Sequence, residues 1–92
     1  MKTLATTIAE NIALVAKDRR KQLGLSQEAL ADKVGIDRTY ASQIERAIAN
    51  PSLSVLCNMA NALEITLSQL LGESELATEV LVNPKPPKGK VK

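Results

Sequence analysis

The chain is nearly without aromatic residues, has no histidine, and carries a single cysteine. Tyr40 is its one aromatic side chain, so a hydrophobic core must be built from Leu, Ile, Val and Ala. That palette favours packed helices over sheets. Cys57 stands alone, which excludes an intrachain disulfide. A zinc site or a His-based catalytic device has almost no ligands to draw on. No glycine-rich phosphate loop is present, and nothing nominates a nucleophile or a base. The expectation is a protein that is not an enzyme, with no metal, no cofactor and no small-molecule ligand. No apolar run approaches the roughly 20 residues that span a bilayer, and no apolar signal sequence opens the chain. These absences point to a cytoplasmic, nucleoid-associated protein with no membrane partner.

What is present is an apolar fraction of 45% in 92 residues, enough for one modest core and one domain. The net charge of +2 is too small to argue for a polyanionic partner, so its distribution matters more. Residues 17–46 hold Lys17, Arg19, Arg20, Lys21, Lys33, Arg38 and Arg46 against Asp18, Glu28, Asp32, Asp37 and Glu45. Residues 47–79 carry only acids, and the last ten residues only lysines. Such segregation suggests one face for polyanions and another for something else.

Hydrophobic spacing and capping residues divide the chain into helices. Thr7 with Glu10 forms a capping-box pattern ahead of Ile8, Ile12 and Val15, with Thr3 as a competing cap, and Gly24 ends this first helix. Ser26 caps a short second helix with Leu30, Ala31 and Val34 on its apolar face, stopped by Gly35. Asp37 caps a third through about Arg46, with Tyr40, Ala41 and Ile44 on one side and Arg38, Thr39, Ser42 and Arg46 on the other. After Asn50-Pro51, Ser52 caps a fourth helix to about Leu63. Its main apolar face is expected to be Leu53, Leu56, Cys57, Ala60 and Leu63, with a second stripe of Val55, Met59 and Ala62. Thr66 or Ser68 starts a fifth helix that ends at Gly72. The expected organisation is an all-α domain over 1–72, a short extension over 73–82 that is either helical or extended, and a basic, Pro-rich disordered tail over 83–92.

The deciding feature is the pair of short helices joined by a tight glycine turn. Ala31 is small enough for the helices to cross closely, Gly35 supplies a positive φ, and Ile36, Ala41 and Ile44 clamp the third helix to the core. Over roughly Ile12 to Leu71 the sequence resembles the Cro/C1-type, lambda-repressor-like helix-turn-helix family. The carrying segments are Gly24-Leu25-Ser26-Gln27-Glu28-Ala29-Leu30-Ala31, Gly35-Ile36-Asp37-Arg38-Thr39-Tyr40, Ile44-Glu45-Arg46 and Asn50-Pro51-Ser52-Leu53. The Arg38-Thr39-Tyr40 and Asn50-Pro51-Ser52-Leu53 elements look most like controller proteins of restriction-modification systems, and many phage and chromosomal repressors share them.

The resemblance implies a five-helix fold whose third helix enters the major groove of double-stranded DNA. Arg38, Thr39, Ser42 and Gln43 would then meet base edges; Arg suits guanine and Gln suits adenine. Gln27 at the start of the second helix would hold a phosphate, unless it is merely an exposed first-turn residue. The ring of Tyr40 belongs to the core by helical angle, leaving its hydroxyl for a phosphate. Arg46 either contacts DNA, as a phosphate or base contact, or only offsets the helix dipole. Arg20 and Glu45 match a pair that forms a structural ion pair beneath the DNA-facing surface in similar repressors. Where the family often has Gly, this chain has Ala47: either Ala47 is left-handed, at about 1 kcal/mol, or the third helix runs one residue further.

Family members gain specificity by two-fold dimerisation on palindromic half-sites. A homodimer would use Val55, Met59, Ala62, Leu67, Leu70 and Leu71, unless the stripe covers the first helix and the fifth helix only caps the core. The function implied is a transcription regulator, with a restriction-modification controller as the nearest type. The alternative is an antitoxin or other interaction module that binds its own promoter and wraps a partner with Glu73 to Val82.

Overall fold

The computed structural model describes residues 3–72. These form five helices and no strand: α1 (Leu4–Gln22), α2 (Gln27–Val34), α3 (Arg38–Glu45), α4 (Leu53–Leu63) and α5 (Leu67–Leu71). The extension over 73–82, the antitoxin-type contact expected of it, and the tail over 83–92 lie outside the described residues.

Every helix starts on a side-chain cap. Of the two candidates for α1, Thr3 does the work: its Oγ1 accepts from the Thr6 amide at 3.1 Å, and Thr7 Oγ1 donates to the Thr3 carbonyl at 3.2 Å. The helix therefore starts about a turn earlier than a Thr7 cap would give. Ser26, Asp37 and Ser52 accept from the amides of Ala29, Thr39 and Val55. At α5 it is Thr66, not Ser68, that caps, in a capping box with Gln69 at 3.0 and 2.8 Å. Each such cap contributes about 1 kcal/mol by satisfying an amide the helix leaves open.

Helix ends repeat a second device, a left-handed residue that turns the chain back. After α3, the Ala47 amide donates to the Ile44 carbonyl at 3.1 Å and the Ile48 amide to the Gln43 carbonyl at 3.0 Å, a Schellman pair. Ala47 has φ 61, so the first alternative holds: α3 stops at Glu45, and an alanine occupies a position that favours glycine. Glu64 ends α4 in the same conformation at φ 60. At Gly35, φ 85, an added Cβ would meet nothing within 4 Å, so conformation alone favours glycine there.

α1 packs against α3, α4 and α5, and α2 packs against α3 and α4. The core they enclose contains Ile12, Ala16, Leu30, Val34, Ile44, Met59, Ala60, Leu63 and Leu70. Full burial of a leucine such as Leu63 or Leu70 stabilises by roughly 1.5–3 kcal/mol. Two side chains of α1 fasten the later helices by their open carbonyls: Arg19 Nε donates to Leu63 O at 2.9 Å, and buried Asn11 Nδ2 to Leu71 O at 3.4 Å.

The rotation of α4 corrects the sequence expectation. Met59 is 1% exposed and packs in the core, while Leu53 at the supposed core face is 68% exposed and Cys57 is exposed too. A helix that is apolar over most of its surface does not announce which stripe faces inward. Contacts with α1, α2 and α5 select Met59, Ala60 and Leu63. Met59 and Leu70, the latter 0% exposed, consequently present no surface to a second copy.

Candidate nucleic-acid interface

α2, the Gly35 turn and α3 form a helix-turn-helix in which the inner face of α3 is fixed by Ala41 and Ile44, each 2% exposed. The Asp37 carboxylate caps its first turn at 2.8 Å from the Thr39 amide, leaving Arg38 and Thr39 exposed on that turn. One turn on, Ser42 and Gln43 are half-buried, and Arg46 is exposed at the C-cap. By helical spacing Arg38, Ser42 and Arg46 share one row and Thr39 and Gln43 the next, so the polar residues form a contiguous outer face. Tyr40 is half-buried against the core, consistent with a packing ring.

Beneath this face lies the ion pair expected of Arg20 and Glu45. Arg20 Nε reaches Glu45 Oε2 at 2.7 Å and Arg20 Nη2 reaches Oε1 at 3.0 Å, a fork that matches both carboxylate oxygens. The Glu45 side chain is 1% exposed and that of Arg20 12%, so neither charge can be left unpaired cheaply. Two further bonds were not foreseen. Arg20 Nη1 donates to Leu25 O at 2.8 Å, and Gln27 Nε2 donates to Glu45 Oε1 at 3.1 Å. The end of α1, the loop before α2, the first residue of α2 and the last residue of α3 thus meet in one polar cluster. The sequence signal for the second bond was thin, a Gln and a Glu 18 residues apart on different helices.

The dimer candidates divide. Val55, Ala62, Leu67 and Leu71 are half-buried at the rim of the core, whereas Met59 and Leu70 are enclosed within it. Among the described residues no His, Cys, Asp and Glu cluster could hold a metal ion, and no helix is long and apolar enough to cross a membrane.

Comparison with known proteins agrees with this architecture. The chain is 40% identical over 73 residues to the immunity repressor protein of Bacillus phage phi105, covering 79% of this chain and 48% of that protein. It thus spans about half the length of that repressor. The hypothetical transcription factor NHTF from Neisseria superposes with a TM-score of 0.70 at 35% identity, over 82% of this chain and 86% of that one. The restriction-modification controller protein C.AhdI from Aeromonas hydrophila does so with a TM-score of 0.65 at 35% identity, over 67% and 94%. Residues 17–70 match the helix-turn-helix family, and these residues contain both the Gly35 turn and the Arg20–Glu45 pair. The chain belongs to that family, in its Cro/C1 type.

Proposed function

We propose that the protein is a sequence-specific regulator of transcription that binds double-stranded DNA as a homodimer on a palindromic operator. The observation that carries this reading is the exposed polar face of α3, held rigid from behind by the buried Arg20–Glu45 pair. A helix so presented fits the width of the major groove. In this reading Arg38, Thr39, Ser42 and Gln43 contact base edges, and Gln27, Tyr40 and Arg46 contact phosphates. The kinship with a phage repressor and with a controller protein supports a regulator of one or the other type.

A single copy offers few base contacts, and a two-fold axis doubles them. With Met59 and Leu70 inside the core, what remains of the expected patch for a partner copy is Val55, Ala62, Leu67 and Leu71. The setting of this activity is the cytoplasm.

Selection of duplexes from a random pool tests the proposal. The expected outcome is an enriched palindrome with half-sites centred about 10 or 11 base pairs apart. Enrichment of a non-palindromic site would overturn the homodimer, and no enrichment at all would overturn sequence-specific binding.

A further inference from the structure

We propose that Glu45 is a positioning residue for phosphate binding: its buried carboxylate holds the Gln27 carboxamide with one amide hydrogen turned inward and the other left for a phosphate oxygen. The inference rests on the reading of Gln27 as a phosphate contact. A carboxylate beneath a surface that receives a polyanion is at first sight misplaced, since like charges repel. Here Glu45 is neutralised on both oxygens by Arg20, at 2.7 and 3.0 Å, before any phosphate arrives. What the pair then offers outward is a fixed acceptor, and Gln27 Nε2 occupies it at 3.1 Å.

A carboxamide nitrogen carries two hydrogens, so one bond to Glu45 leaves the second free. A glutamine at the surface samples many rotamers, and freezing it opposes binding. The bond to Glu45 freezes it in advance. Arg20 adds a second constraint through Leu25 O at 2.8 Å, two residues before Gln27, which fixes the backbone leading into α2. Gln27 is also the first residue of α2, where the helix dipole favours an anion. Arg20 and Glu45 therefore act on DNA through Gln27 without touching it.

The test uses the full chain and the duplex retained by selection, and compares the native protein with Gln27→Ala, Glu45→Gln and the double variant. Glu45→Gln keeps the side-chain shape but leaves one acceptor oxygen for three donors. Gln27→Ala is expected to weaken native binding about tenfold on cognate and scrambled duplexes alike, as loss of a charged hydrogen bond does. In the Glu45→Gln background the same change should cost less than about threefold, because Gln27 is no longer held. Equal losses in both backgrounds would overturn the positioning role while leaving the phosphate contact intact. No loss in the native background would overturn the phosphate contact and the positioning role together, and Arg38→Ala would still report on base reading separately. Should Glu45→Gln fail to fold, nitrogen-15 relaxation of the Gln27 side-chain amide in the native protein decides. That amide is expected to be ordered before and after the duplex is added; an amide freely mobile until DNA arrives would overturn the proposal. A Glu45 that merely braces α3 would not order it.

Discussion

Removing one partner of the Arg20–Glu45 pair is the sharpest test of how α3 is held. Arg20→Ala leaves a carboxylate that is 1% exposed with a single remaining donor, the Gln27 amide. Breaking a buried pair in this way costs about 3–5 kcal/mol, against a total of about 5–15 kcal/mol for a small domain. Glu45→Ala leaves Arg20 12% exposed and still bonded to Leu25 O, so it should cost less, about 2–3 kcal/mol. In the double variant neither charge is stranded, and its loss should fall below the sum of the singles by at least about 1 kcal/mol. Urea denaturation followed by circular dichroism reads this directly. With a slope near 1 kcal/mol/M, Arg20→Ala should lower the midpoint by about 3–5 M. Protein concentration must be equal throughout, because a dimer couples unfolding to dissociation. Additive losses, or an Arg20→Ala midpoint within about 0.5 M of native, would refute the pair as a brace.

The two ends of the helix-turn-helix should respond oppositely to small residues. Gly35→Ala should lose about 1 kcal/mol through backbone strain alone, since the added Cβ meets nothing, whereas Ala47→Gly should be neutral to stabilising; a thermal melt in which both destabilise equally would contradict this. Arg38→Ala should lose about 1–3 kcal/mol on the selected site and relax one base position, while Gln27→Ala weakens all sequences alike. Equal losses for Arg38→Ala on cognate and scrambled duplexes would remove it as a reader. Leu67→Glu, at the rim, should yield a folded monomer in sedimentation, whereas Met59→Glu, in the core, should not fold; a folded dimer for Leu67→Glu moves the interface elsewhere.

The starts of α2, α3 and α4 were legible because each is written in a local code. Ser26, Asp37 and Ser52 cap where their spacing predicts, and Gly35 turns where a positive φ is needed. Arg20 and Glu45 followed from resemblance and not from local pattern, since the bond joins residues 25 apart. The rotation of α4 was not legible: Met59 and Leu53 are both apolar, and only the packing of three neighbouring helices separates core from surface. Leu70 misled for the same reason, a short α5 having too few residues to show which leucine points inward. Thr7, with Glu10 three residues on, was the stronger local signal for the first cap, yet the backbone starts the helix a turn earlier on its competitor Thr3. The Gln27 bond depends on where two helices end in space, which no spacing along one helix encodes.

Three side chains of α1 each reach a different later element: Arg20 across 25 residues to Glu45, Arg19 across 44 to Leu63, and Asn11 across 60 to Leu71. During synthesis α1 leaves the ribosome ahead of α2 to α5, so each of these partners emerges after it. Alone, α1 has an apolar stripe and nothing to set it against, and a helix in a protein draws most of its stability from such packing. Closing the longest of these loops costs about 0.8 kcal/mol more than closing the shortest. The Asn11 tether is therefore the last to become available, and a chain cut before Leu71 should be less stable than one that includes it.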